Sequence, residues 1–136
     1  MRLLRTFLFS LFIFSIATTG CIYAQKAHSN GPLLLVLNKS GNSLTVLNAN
    51  TMKVIGSVDV GNGPHEVVTT ADGTKAIVAN YGGRGAPGNT FSVIDLKELK
   101  EIRRADLGPL MRPHGIQEIG GKIYFTAETN RAIARY

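Results

Sequence analysis

Residues 65–94, HEVVTTADGTKAIVANYGGRGAPGNTFSVI, decide the fold. They read as three short β-strands joined by turns. HEVVTT (65–70) is closed by Ala71-Asp72-Gly73, and Asp-Gly signals a hairpin because a type I′ turn needs positive φ at both central residues. AIVAN (76–80) answers it as the partner strand, and a glycine-rich loop leads to TFSVIDL (90–96).

The flanking sequence carries strand signals at similar intervals. Upstream, LLLVLN (33–38) is a nearly continuous apolar run, which predicts a strand buried on both faces. SLTVLN (43–48) alternates with period two. KVIGSVDV (53–60) alternates again, so Val54, Val58 and Val60 are expected to face inward and Lys53, Ser57 and Asp59 outward. GNGP (61–64) ends it. Downstream come EIRRADL (101–107), HGIQEI (114–119), a Gly120-Gly121 turn, KIYFTAE (122–128) and AIARY (132–136).

Laid against one another, these strands repeat. Val36-Leu37-Asn38, Val78-Ala79-Asn80 and Phe125-Thr126-Ala127 hold one place, and Leu44-Thr45-Val46-Leu47 matches Phe91-Ser92-Val93-Ile94. Asn80 lies 42 positions after Asn38, and Pro64-His65 recurs 49 positions later as Pro113-His114. The extra length falls in loops. A period of about 40 to 45 residues with four strands per unit is that of propeller blades.

With these motifs the chain resembles bacterial YVTN-type β-propeller repeat proteins, of the WD40-like and quinoprotein-like propeller superfamily. Each unit there runs roughly Pro-His-Gly, five residues, Asp-Gly, then Tyr-Val-Thr-Asn, then Asn-Thr-Val-Ser-Val-Ile-Asp. The counterparts are PHEVVTTADG (64–73), IVAN (77–80), NTFSVID (89–95), PHGIQEIGG (113–121) and YFTA (124–127). The resemblance implies an all-β fold: a partial β-propeller of about two and a half four-stranded antiparallel blades after a signal peptide, with the strands at His65 and His114 innermost. Closed propellers take about four to eight blades. The expectation is therefore an incomplete propeller over residues 33–136, the N-terminal part of a longer or truncated protein. A short chain that closes a ring by self-association is the alternative.

The chain has 136 residues, room for one domain. Its first 24 read as a secretory signal peptide: Arg2 and Arg5, then the apolar run 7–16, then a small residue at Ala24 before Gln25. Thr19-Gly20-Cys21 partly resembles a lipoprotein box, so a lipid anchor at Cys21 is the alternative to cleavage after Ala24. The expected location is periplasmic or secreted, or lipid-anchored to the envelope under the alternative. Residues 25–32 form a polar linker, and His28 within it is expected to be solvated.

Lys and Arg number 15 against 9 Asp and Glu, a net +6. Without the leader's two arginines the balance falls to +4, scattered singly apart from Arg103-Arg104. No stripe tracks phosphates, so no nucleic-acid partner is expected. Cys21 is the single cysteine. Disulfides, thiolate ligands and attached c-type haem are therefore excluded once it is removed.

No catalytic residue stands out and no cofactor is named by the sequence. Gly83-Arg84-Gly85-Ala86-Pro87-Gly88 matches GxGxxG, but that motif needs a helix N-terminus after it. A strand follows instead, so the segment reads as a long, flexible connection. Glu66 and Glu118 read as strand or rim residues, and Asp72 and Asp95 as turn and strand-end groups. Phe91 and Phe125 sit on apolar faces, which makes blade core of them rather than part of a stacking platform with Tyr81, Tyr124 and Tyr136.

His65 and His114 are the candidate ligand-binding residues. Under the propeller reading they occupy equivalent places on adjacent inner strands, at one rim of the central channel. Neutral imidazoles so placed could bind copper or zinc. Alternatively each hydrogen-bonds backbone at the start of its strand. The function this implies is a non-enzymatic binding or scaffold module holding a protein or small-molecule ligand at the rim. Part of a propeller enzyme, a lactonase or a quinoprotein-like dehydrogenase, is the alternative by fold analogy.

Overall fold

The computed structural model describes residues 31–136. The leader, its two processing alternatives at Ala24 and Cys21, His28 and most of the linker lie outside the described residues. Ten antiparallel strands follow: β1 (Leu33–Asn38), β2 (Ser43–Asn48), β3 (Val54–Asp59), β4 (Pro64–Thr69), β5 (Lys75–Gly82), β6 (Pro87–Asp95), β7 (Lys100–Asp106), β8 (Pro113–Ile119), β9 (Lys122–Ala127) and β10 (Ala132–Arg135). They form three meander sheets, β1-β2-β3, β4-β5-β6-β7 and β8-β9-β10. Ten strands in this arrangement make two and a half four-stranded blades.

The sheets pack face to face, and β5 shows why. Ala76 and Val78 point to one side and join Leu44, Val46, Val58, Val60, Ile94 and Leu96 in a core shared with the first sheet. Ile77 and Ala79 point to the other and join Phe91, Ala105, Leu107, Ile123, Phe125 and Ala127 in a core shared with the third. Period-two alternation with both sets apolar buries the middle sheet on both faces. The Phe91 and Phe125 rings meet edge to face at 4.9 Å across the second of these cores. On the inner side, β4 lies against both β1 and β8.

The repeat extends to details of hydrogen bonding and strand register. Asn38 donates to the hydroxyls of Ser43 and Thr45, and Asn80 donates to those of Thr90 and Ser92. The side-chain oxygen of Asn48 accepts the amides of Asn50 and Thr51. Asp95, 47 positions on, accepts those of Lys97 and Glu98. Ladder irregularities also recur, at Val46/Leu47 and at Val93/Ile94.

Three sequence expectations are corrected. Strand β1 is not buried on both faces: Leu33, Leu35 and Leu37 pack on the first core, while Leu34 and Val36 are exposed, because no described residue covers their side. Val54 is exposed rather than inward. The pairing skips Ile55 between Val54 and Gly56, and a bulge there inverts the alternation, so Ile55 packs on the core instead. The Asp72-Gly73 hairpin is not type I′, since only Gly73 takes positive φ, at 66°. Its amide bonds to the Thr70 carbonyl at 2.8 Å, as in a type I turn followed by a left-handed glycine. Positive φ at both central residues occurs instead at Gly120 and Gly121, between β8 and β9.

Candidate functional site

The site forms where the inner strands begin. In β4 the ladder passes from Pro64, opposite Asn80, to Glu66, opposite Ala79, which leaves His65 as an extra residue. In β8 it passes from Pro113 to Ile116 while the partner strand advances only from Ala127 to Phe125. One extra residue per strand at the same place is a β-bulge, a device that re-aims side chains. The residue before each Pro-His pair also takes positive φ, Gly63 at 59° and Arg112 at 55°. For glycine this is free, whereas for an arginine it is a sparsely populated state held by its surroundings.

These two entries bring the histidines together. Their ring centroids lie 4.4 Å apart with the planes tilted by 44°. His65 is exposed and His114 half-buried. Because the bulge breaks strict alternation, Glu66 does not point away from His65, and its carboxylate stands 3.6 Å from the His65 Nδ1. Imidazole nitrogens of both histidines and the Glu66 carboxylate all fall within 4.8 Å of one another. Among the described residues neither imidazole makes a hydrogen bond, so the backbone-bonded alternative is not what the structure shows.

Tyr81, at the end of β5, joins the site as a packing surface for both histidines, a place that its aromatic character alone does not assign. Its ring packs on His65 at 5.2 Å and edge-on to His114 at 5.6 Å. Lys39 Nζ and the Arg112 guanidinium each stand 4.8 Å from its centroid, within cation–π range. Its hydroxyl donates to Glu128 at 2.6 Å. Arg112 also donates to the Gly83 carbonyl at 3.3 Å. All three sheets thus contribute to one cluster: Lys39 beyond β1, His65, Glu66 and Tyr81 from the middle sheet, and Arg112, His114 and Glu128 around β8 and β9. In the sequence Tyr81 is marked by its place directly after Asn80, where β5 reaches the rim.

The glycine-rich segment proves to be short. Strand β5 runs on to Gly82 and β6 begins at Pro87, and the Gly83 amide bonds the Ala86 carbonyl at 3.0 Å. It is a tight hairpin, not a long connection. A Cβ on Gly82 would collide with the Gly88 amide, and one on Gly88 with the Asn80 carbonyl, so backbone approach explains these glycines. Glu118 bonds the Gly121 amide at 2.6 Å in the β8–β9 turn, apart from the cluster.

No protein-family model and no curated protein matches the chain. Among solved structures it is similar to Kuenenia stuttgartiensis hydrazine synthase, at 30% identity and a TM-score of 0.59 over 68% of this chain and 25% of that one. It is also similar to dihydro-heme d1 dehydrogenase NirN in complex with DHE, at 15% identity and a TM-score of 0.58 over 68% of this chain and 20% of that one. Both are β-propeller proteins. The fold is a partial β-propeller. A protein of unknown function from Bacteroides caccae aligns at 15% identity with a TM-score of 0.58, over 76% of this chain and 41% of that one. This propeller segment therefore spans a quarter of the hydrazine synthase chain it matches. Among the described residues no helix is long and apolar enough to cross a membrane.

Proposed function

We propose that the chain is an exported YVTN-type β-propeller module that binds a protein or small-molecule ligand at the rim where its inner strands begin. The observation that carries this reading is the meeting of His65 and His114, 4.4 Å apart and hydrogen-bonded to nothing among the described residues. Polar groups that gather without satisfying one another are available to a ligand. The leader over residues 1–24 supports export to the periplasm or beyond, with lipidation at Cys21 as the other form of delivery.

Histidine-selective NMR of the secreted protein tests the reading, using a panel of divalent metals, small metabolites and peptides. A bound ligand shifts the His65 and His114 ring signals before any others. Ligands that shift only groups remote from the rim contradict it. Fractionation of cells expressing the full chain, with sequencing of the mature N-terminus, tests export.

A second reading is favoured by the 30% identity to hydrazine synthase: the module is one part of a larger propeller enzyme. Lactone hydrolysis or dye-linked dehydrogenation that is lost in His65→Ala supports it.

A further inference from the structure

Glu66 stands where the repeat pattern has glycine. The unit that begins at Pro113 keeps the pattern, with Gly115 after His114, whereas the unit that begins at Pro64 places a carboxylate there. The bulge at His65 then turns that carboxylate toward the imidazoles. Two imidazoles and one carboxylate is a donor set suited to late first-row divalent ions.

We infer that His65, Glu66 and His114 bind one divalent metal ion of the zinc and copper class. This rests on the rim reading and names its ligand chemistry. Metal–donor bonds of about 2.0–2.2 Å place neighbouring tetrahedral donors about 3.3 Å apart. The donors here lie within 4.8 Å, so closure needs a movement of about 1.5 Å, within reach of side-chain rotation at partly exposed His65 and Glu66. Tyr81 packs on both rings and limits their spread, while its own hydroxyl is committed to Glu128. Around the donors, Lys39 and Arg112 bring two positive charges and Glu66 and Glu128 two negative ones. Three protein donors leave a fourth position open to solvent or to an external ligand, as in zinc sites that act on or capture a second molecule.

Calorimetric titration of the full-length mature chain with Zn2+ against a competing chelator, and EPR of the Cu2+-loaded protein, test this. One ion per chain and a copper signal coupled to two nitrogens are expected. Loss of even an outer-shell partner costs a metal site roughly 10–100-fold, so His65→Ala and His114→Ala are each expected to weaken Zn2+ by roughly 100-fold or more. Glu66→Gly installs the residue that the next unit carries, and so keeps the fold while weakening Zn2+ by roughly tenfold or more. His28→Ala leaves binding unchanged. Zn2+ affinity and stoichiometry unaltered by either rim histidine or by Glu66→Gly overturn the inference. Zn2+ that does not bind, while an organic ligand still shifts the His65 and His114 signals, overturns the metal and leaves the rim reading standing; if nothing shifts them, both fall.

Discussion

The Tyr81 hydroxyl donates a 2.6 Å hydrogen bond to the Glu128 carboxylate, tying the end of β5 to the turn beyond β9. The contact joins two sheets at the rim, and both imidazoles pack on the Tyr81 ring. Tyr81→Phe keeps the ring and loses the bond, a change expected to cost about 0.5–1.5 kcal/mol. Tyr81→Ala also removes the surface on which both histidines pack. Denaturant titration of the two variants should place the alanine form clearly below the phenylalanine form in stability.

Across the second core, the Phe91–Phe125 pair joins the middle and third sheets. Both rings are buried, so Phe91→Ala or Phe125→Ala should destabilise by about 3–5 kcal/mol. A double-mutant cycle measured by chemical denaturation should return a coupling of about 0.5–1.5 kcal/mol for the edge-to-face contact.

Two glycines with positive φ separate conformational strain from collision. Gly73, at 66°, has open space where a Cβ would stand, whereas a Cβ on Gly82, at 87°, would meet the backbone of Ala86 and Gly88. Gly73→Ala should cost about 1–2 kcal/mol from the left-handed conformation alone. Gly82→Ala should cost more, because neighbouring backbone must also move. Thermal melts of the two variants check the order.

The β4–β5 hairpin carries the acid sensitivity that the structure makes explicit. Hydrogen bonds from the Thr70 hydroxyl, then from the Thr74 amide and hydroxyl, pull the Asp72 carboxyl down from 3.8 to about 2. A carboxyl depressed in the folded state contributes stability above its unfolded value, and that contribution fades as pH falls from about 4 toward 2. NMR titration of the Asp72 side chain should show the low midpoint. Asp72→Asn should flatten this part of the acid limb.

Much of the blade pattern is legible in sequence because alternation reports burial directly. Val78 and Ala79 face opposite cores, and SLTVLN buries Leu44 and Val46 as its period requires. What alternation misses is the bulge, where one extra residue inverts the faces. Val54 and Ile55 exchange places for that reason, and so Glu66 turns toward the imidazoles when the sequence assigns it only to the strand or rim. LLLVLN is exposed on one face, and an apolar run does not say whether a neighbouring sheet covers its second side. Spacing between repeats puts His65 and His114 at equivalent places. Tyr81 and Arg112 belong to no repeated motif, and only the packed sheets bring them to the same rim.

The rim site requires the two imidazoles to stand side by side on adjacent inner strands. A NOESY spectrum of the protein, with histidine rings assigned through His65→Ala and His114→Ala, measures that directly. Rings with centroids 4.4 Å apart predict strong cross-peaks between the His65 and His114 ring protons, with further peaks from each to Tyr81. An assigned, folded spectrum in which His65 and His114 share no cross-peak would contradict the rim, and with it the reading of function built there.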